Sequence, residues 1–222
     1  MKAFSLAARL GLLFLIVAVL PLAGLAGFYL DSLERSLADA LHQNIVSMAD
    51  KKAAQIDDFI NERLDDAQSL GRSRLAQEAL RELGQAYRRQ GRVPQGALAE
   101  RVDRELSGLI NPRHYYDLLL IDAAGNVVFS LRHEDDLGSN LRTGPYRHSS
   151  LATGFNQAMA TLHTDLSPFA PYAPSANKTA AFLVVPILEQ GRISGALALQ
   201  FNLDTLLPVV TDRTGSRVSR LN

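Results

Sequence analysis

The chain has 222 residues, 47% of them apolar and 21% charged, with 23 basic side chains against 23 acidic ones. This composition excludes both a disordered chain and one embedded wholly in lipid, and the even charge offers no electrostatic footprint for nucleic acid. There are no cysteines, which removes disulfides, thiol catalysis and cysteine-ligated metals and is compatible with an oxidising compartment.

The first element is apolar. From Leu10 to Leu30 run 21 consecutive residues without a charge, enough for a helix about 31 Å long, the thickness of a bilayer's hydrocarbon core. Lys2 and Arg9 precede the run, and Asp31 and Glu34 come after it. The positive-inside bias therefore places residues 1–9 in the cytoplasm, residues 10–30 across the membrane, and the rest outside. The same stretch also fits a cleavable signal peptide, with Leu10–Leu20 as apolar core and Gly24-Leu25-Ala26 as a small-x-small cleavage site. The anchor is the preferred reading, and both readings export the remainder of the chain.

Beyond the membrane, apolar side chains recur at Leu33, Leu37, Leu41, Ile45, Met48, Ile56, Ile60, Leu64 and Ala67, with Lys52 filling one slot. The mean step is about 3.8 residues, helical but looser than a heptad zipper. Residues 31–90 are assigned to this long amphipathic helix, which either ends before Gly71 or continues with a kink to about Gln90. Such a helix covers a sheet, and it is long enough to add a homodimer contact and a signalling rod. Gly91–Gly96 is a loop by composition. A shorter helix over about Ala97–Leu109 stops at Asn111-Pro112, where proline restricts the residue before it.

Strand signals then begin. Tyr115–Ile121 and Val127–Arg132 flank Asp122-Ala123-Ala124-Gly125-Asn126, a hairpin pattern. A second pair, Thr179–Leu188 and Ile193–Phe201, is joined by Glu189-Gln190-Gly191-Arg192. In the last strand Ile193, Gly195, Leu197, Leu199 and Phe201 share one face, and Ser194, Ala196, Ala198 and Gln200 the other. The small face leaves room for a packed helix or a ligand. The two hairpins are separated by about 46 residues, Arg132 to Lys178, with one helix near Tyr146–Ala160. A long irregular crossing usually carries function. Pro168, Pro171 and Pro174 stiffen it as a pocket wall would need. The order is α+β with an antiparallel sheet, and residues 91–215 form its globular lobe.

Four stretches together resemble the extracytoplasmic Cache sensor family, in particular the membrane-distal lobe of a double Cache domain. They are Lys51–Ile60 with Arg63, the hairpin Asp117–Ser130, Asp136–Leu141 with Gly144-Pro145-Tyr146, and Asp165–Ser175 followed by Ala181–Pro186 and the last strand. The resemblance spans about residues 31–215. It implies a PAS-like antiparallel sheet, the long helix packed alongside, and a small-molecule pocket over the other face. Proteins with this lobe include chemotaxis receptors, sensor histidine kinases and membrane cyclases. Such receptors usually continue into a second lobe, a second membrane helix and a signalling module. Residues 216–222 are therefore expected to be the tail of a truncated receptor, or of one that works only with partners.

No catalytic constellation is legible. His148 beside Ser149 and Ser150 is not a triad, and no phosphate-binding loop or dinucleotide fingerprint occurs. The run His133-Glu134-Asp135-Asp136 is read as a solvated charge run rather than a metal site. No enzyme activity, cofactor or metal is expected. For recognition, Tyr146, Phe169 and Tyr172 are candidates for rigid walls with polar tips. Arg142 is the candidate for pairing a ligand carboxylate, and Asp165 for receiving an ammonium. The expected ligand is an amino acid or a small organic acid. The competing expectation is an anchored or secreted envelope interaction protein without a ligand of its own.

Overall fold

The computed structural model describes residues 47–112 and 114–203 together with Phe14 and Leu25. The expected membrane span, Leu10–Leu30, and the first part of the long helix lie otherwise outside the described residues. Among the described residues no helix is long and apolar enough to cross a membrane. The chain divides into two units, residues 1–54 and 55–222. In the first, residues 47–54 are helical. The second carries the sheet and the helices that cover it.

Residues 55–72 form helix α1, and the helical run breaks at Ser73. Ser73 is extended (φ −64°, ψ 139°), and its hydroxyl accepts from the Ala76 N–H at 3.2 Å, capping helix α2, Arg74–Gln90. Of the two endings open from sequence, the structure therefore has the broken helix that resumes to Gln90. Leu75, Ala76, Ala79, Leu80, Leu83 and Tyr87 recur at helical spacing and turn inward. Gly91 then ends α2 in the left-handed conformation (φ 64°), its N–H returning to the Tyr87 carbonyl. Helix α3, Ala97–Ser107, buries Val102 and Leu106.

Six antiparallel strands come next: β1 Asp117–Asp122, β2 Val127–Ser130, β3 Asp165–Leu166, β4 Ala170–Tyr172, β5 Lys178–Glu189 and β6 Arg192–Asn202. Their order is β2-β1-β6-β5-β3, with β4 also on β5. Both expected hairpins form. The crossing between them is more ordered than expected, because it contains β3 and β4 besides helix α4, Ser150–Thr161. Two- and three-residue strands are too short to display a period of two. Pro171, which cannot donate to a ladder, sits in β4 at the sheet edge, where proline is tolerated.

The period-two alternation of the strands divides the core. Leu118, Leu120, Ala181, Leu183, Val185, Leu197, Leu199 and Phe201 face α1, α2 and α3. Leu119, Ile121, Phe182, Val184, Ala196 and Ala198 face α4, which contributes Leu151, Ala152, Phe155 and Ala158. The bulky and small faces read from β6 are both present, and the small residues let α4 lie close. An added Cβ at Gly154 of α4 would sit 3.1 Å from a Val184 methyl.

One charged side chain of α1 is buried. Arg63 is 2% exposed and pairs with Glu62 at 2.6 Å and Asp66 at 3.2 Å. Its Nη1 donates to His114 Nδ1 at 2.7 Å, so that nitrogen is unprotonated. Tyr115 completes the knot by donating to Asp66, and its ring lies under the guanidinium. The knot fixes α1 to the chain entering β1.

Gly195 marks the tightest approach in the sheet. A Cβ there would fall 2.1 Å from the Ile121 carbonyl oxygen and 3.0 Å from Leu80 Cδ2. Gly195→Ala must force β6 from β1, and we expect it to cost about 3 kcal/mol or more. Denaturant melting of the variant checks this; an unchanged midpoint would show that the strands yield freely.

Candidate functional site

On the α4 face the sheet changes character at one end, from apolar to polar. β1 begins with Asp117 and β6 ends with Gln200 and Asn202, all at core positions, and the chain returning from β2 adds Ser130, Glu134 and Asp136. Asp117 is fully buried. Its Oδ2 accepts from the Ser130 hydroxyl at 2.7 Å, and its Oδ1 accepts from the backbone N–H groups of Leu118 and Arg132. Glu134 accepts from Tyr116 and Ser175, and Ser175 in turn accepts from Gln200, which also donates to Asn202. Outside this chain Tyr116 is flanked by Arg132 and Lys178, 4.7 and 6.0 Å from its ring centre.

Asp136 is the exception in this network. It is 1% exposed; its Oδ2 accepts from the Tyr172 hydroxyl at 2.5 Å, while its Oδ1 has no hydrogen-bond partner. Among the described residues neither Asp117 nor Asp136 forms an ion pair. Burial raises the Asp136 carboxyl above its ordinary value, opposed by the Tyr172 hydrogen bond. Burial beside that carboxylate likewise raises the Tyr172 phenol and keeps it protonated. A buried acid with one oxygen lacking a partner and with no cation is a costly polar group to leave incomplete. Its surroundings favour an incoming donor or positive charge.

The segment carrying Asp136 is held by the first hairpin. Asp122 accepts from the N–H groups of Ala124 and Asn126 and from the Asn126 amide, and Gly125 supplies the positive φ (95°) that the turn needs. Asn126 passes the chain on to the Asn140 amide at 2.9 Å, and the Asn140 carbonyl accepts from Arg142 and Thr143. The Asp-x-x-Gly-Asn pattern therefore fixes the crossing as well as the turn.

The expected site residues do not all come together. Tyr172 is buried against Phe182 and donates to Asp136, whereas Tyr146 is half-buried, its phenol raised by burial and by the charges of Asp135 and Asp136. Arg142 is exposed, with its guanidinium 5.3 Å from the Phe155 ring of α4. Asp165 is half-buried beside Gly154 of α4, and burial raises its carboxyl. Phe169 turns to the other layer, packing edge-on against Phe201 at 5.5 Å.

The expectation of a solvated run at 133–136 needs correction. His133 and Asp135 are exposed, but Glu134 is half-buried and Asp136 is buried, because the chain turns inward over the sheet end. Among the described residues no three His, Cys, Asp or Glu side chains are arranged to hold a metal. Asp117 and Gln200 are further polar residues of the site that sequence reasoning misses. Each is a lone polar residue at a core-facing position of an apolar strand, a signal present in Tyr116-Asp117-Leu118 and Leu199-Gln200-Phe201.

No family model matches the sequence, and no curated protein matches it. Solved structures do match. The chain is similar to the sensor domain of the V. cholerae histidine kinase DctB, at 18% identity and TM-score 0.57, over 79% of this chain and 61% of that one. It is similar to the sensory domain of the Campylobacter jejuni chemoreceptor Tlp3 with isoleucine bound, at 15% and 0.58, over 81% and 66%. The ligand-binding domain of the Pseudomonas aeruginosa PAO1 amino acid chemoreceptor PctC, in complex with GABA, is similar at 15% and 0.52, over 77% and 65%. The chain thus spans less than two thirds of these solved domains. Its fold is that of Cache-type sensor domains.

Burial pushes the Asp117 carboxyl up to about 7, against the pull of its hydrogen bonds from Ser130 and Arg132. In an unfolded chain the same group titrates at about 4. Between these values the folded protein holds a proton that the unfolded chain has lost. This stabilisation is complete below about pH 4 and disappears as pH rises through 7. Asp117→Asn, which keeps an acceptor for the two N–H groups, should gain stability relative to wild type as pH increases across that window. Denaturant melts at pH 4.5, 6 and 8 measure the difference, and a difference constant with pH would contradict the buried-proton account.

Proposed function

We propose that this chain is the ligand-sensing part of a bacterial signalling receptor, exposed outside the cytoplasm, and that its ligand carries a protonated amine. The observation that carries the reading is Asp136: a buried carboxylate with one tyrosine donor, one oxygen without a partner and no cation. An ammonium group supplies both missing elements, a positive charge and several donors. An amino acid is preferred to a simple organic acid, since this end of the sheet already concentrates carboxyls. GABA and isoleucine, found in two of the similar domains, are both ammonium-bearing carboxylates.

In this reading Asp136 and Tyr172 take the ammonium and Tyr146 closes beside them. Arg142 meets the ligand carboxylate and Asp165 borders the site along the crossing, whereas Phe169, turned to the other face of the sheet, lies outside it. Because Asp136 is 1% exposed, the ligand enters only when the crossing parts from the sheet. The crossing is tied to β2 through Asn126 and Asn140 and to β5 through β3 and β4, so parting it loads the sheet that carries α1 and α2 on its far side. Ligand shifts such an equilibrium only by its difference in affinity between the two arrangements, commonly a few kcal/mol. We assign residues 10–30 to the membrane anchor, residues 1–9 to the cytoplasm, and the stretch leading from the membrane to a homodimer contact between long helices. The charge asymmetry about Leu10–Leu30 supports the orientation.

Two experiments test the reading. Thermal melting and calorimetry of the full chain with a panel of amino acids, amines and organic acids should identify an amine. At 100 times its Kd that ligand adds about 2.7 kcal/mol of stability. Asp136→Asn and Tyr172→Phe should each weaken binding about tenfold or more, and Asp165→Ala and Arg142→Ala report whether those side chains reach the same ligand. Binding unaffected by Asp136→Asn would move the site elsewhere. No binding across the panel would favour an envelope interaction protein. Separately, a tag at the C-terminus of the cell-expressed chain should be labelled only from outside the inner membrane, and labelling only from the cytosol would end the sensory reading.

A further inference from the structure

A second feature lies on the opposite side of the sheet. A groove of about 440 Å³ opens where α2, the β1–β2 turn and the β5–β6 turn converge, and it is lined by Arg81, Gln85, Arg88, Gln190, Arg192 and Ser194 among others. Arg81, Gln85 and Arg88 stand at i, i+4 and i+7 of α2, so one helix face presents all three. The volume lies within the range of small-molecule sites.

The charges of this groove are unbalanced. Its one carboxylate is Glu189, which takes Arg81 at 3.3 Å. The nearby acids have partners of their own. Glu78 pairs with Arg74 and Glu82 with Arg101, while Asp122 accepts from the N–H groups of the turn that it caps and forms no ion pair among the described residues. Among the described residues Arg88 and Arg192 form no ion pair or side-chain hydrogen bond. Two unpaired guanidinium groups, Gln85, Gln190 and the Ser194 hydroxyl offer donors to one small space, with little acceptor capacity to answer them.

We propose that this groove is a separate ligand site for a small multivalent anion, bearing carboxylate or phosphate oxygens, held by Arg88 and Arg192. Guanidinium forks match both oxyanions in paired geometry, which a spherical monovalent anion does not exploit. Arg81, held by Glu189, lines the wall. The site is independent of the amine reading, since it lies beside α2 rather than α4 and shares no lining residue with the surroundings of Asp136.

Calorimetry of the full chain with citrate and with inorganic phosphate tests the proposal, with acetate as the monovalent control. The two arms separate a polycarboxylate from a phosphate ligand. Binding of at least one should exceed that of acetate and weaken with added sodium chloride. Arg88→Gln and Arg192→Gln should each weaken it about tenfold, a typical loss for one charged hydrogen-bonding pair. Arg88→Lys should retain more binding than Arg88→Gln. Arg74→Gln, which removes an equal charge from the same helix but outside the groove, and Asp136→Asn should both leave it unchanged. Thermal melts confirm that each variant is folded. Absence of binding by both anions in the wild type would overturn the site. So would undiminished binding by the R88Q/R192Q double variant, or an equal loss in Arg74→Gln.

Discussion

The alternation of large and small side chains along β6 is the constraint that dictates the layers. Leu197, Leu199 and Phe201 on one face demand a thick cover, which three helices supply; Ala196 and Ala198 on the other admit one helix at short range. A single-residue slip would exchange the two faces and bury Gln200 among the leucines. Pairing with both β1 and β5 over most of its length leaves β6 no such freedom. Gly195 shows how closely the strands are fitted, since its missing side chain is replaced by a neighbouring carbonyl.

In a sheet so closely packed, the polar end is an expensive choice. Leucine at 117 and 200 would continue the apolar stripe, yet the chain places a carboxyl and an amide there and surrounds them with Ser130, Ser175 and Glu134. Asp117 is satisfied at the cost of a raised pKa, whereas Asp136 is left with an unanswered oxygen. A fold optimised for stability alone would give that oxygen a donor. Incomplete polar networks suit places where another molecule completes them, and this contrast between two neighbouring acids is what the proposed role of Asp136 rests on.

Much of the architecture is legible in the residues. The helical spacing of Leu75–Tyr87, the Asp-x-x-Gly-Asn turn and the alternation from Ile193 to Phe201 each report a period or turn that the backbone imposes. The elements that escape such reading have no period to report. β3 and β4 are held by partners on β5, and proline in β4 argues against a strand in any local view. The break at Ser73 is half visible, since Gly71 and Ser73 are poor helix residues, but only the Ser73 hydroxyl on the Ala76 N–H fixes its place. The site is less legible than the fold. Asp136 lies in a run of charges that solvates readily in isolation, and its burial comes from Tyr172, 36 residues later in the chain. Phe169 shows the converse: aromatics three residues apart in one loop go to opposite layers of the sheet.

The crossing does one further thing. At one border of the sheet, residues 138–140 exchange backbone hydrogen bonds with Val127, and at the other, β3 and β4 occupy the outer margin of β5. The same segment therefore covers part of both margins, where exposed N–H and C=O groups would template strand addition between molecules and growth toward fibrils. This limits how far it can lift. In the opening proposed above, a hinge that freed the whole segment would unmask both margins at once, whereas motion of its middle alone would leave the ends stitched. Resistance to polymerisation thus caps the amplitude with which this molecule can breathe.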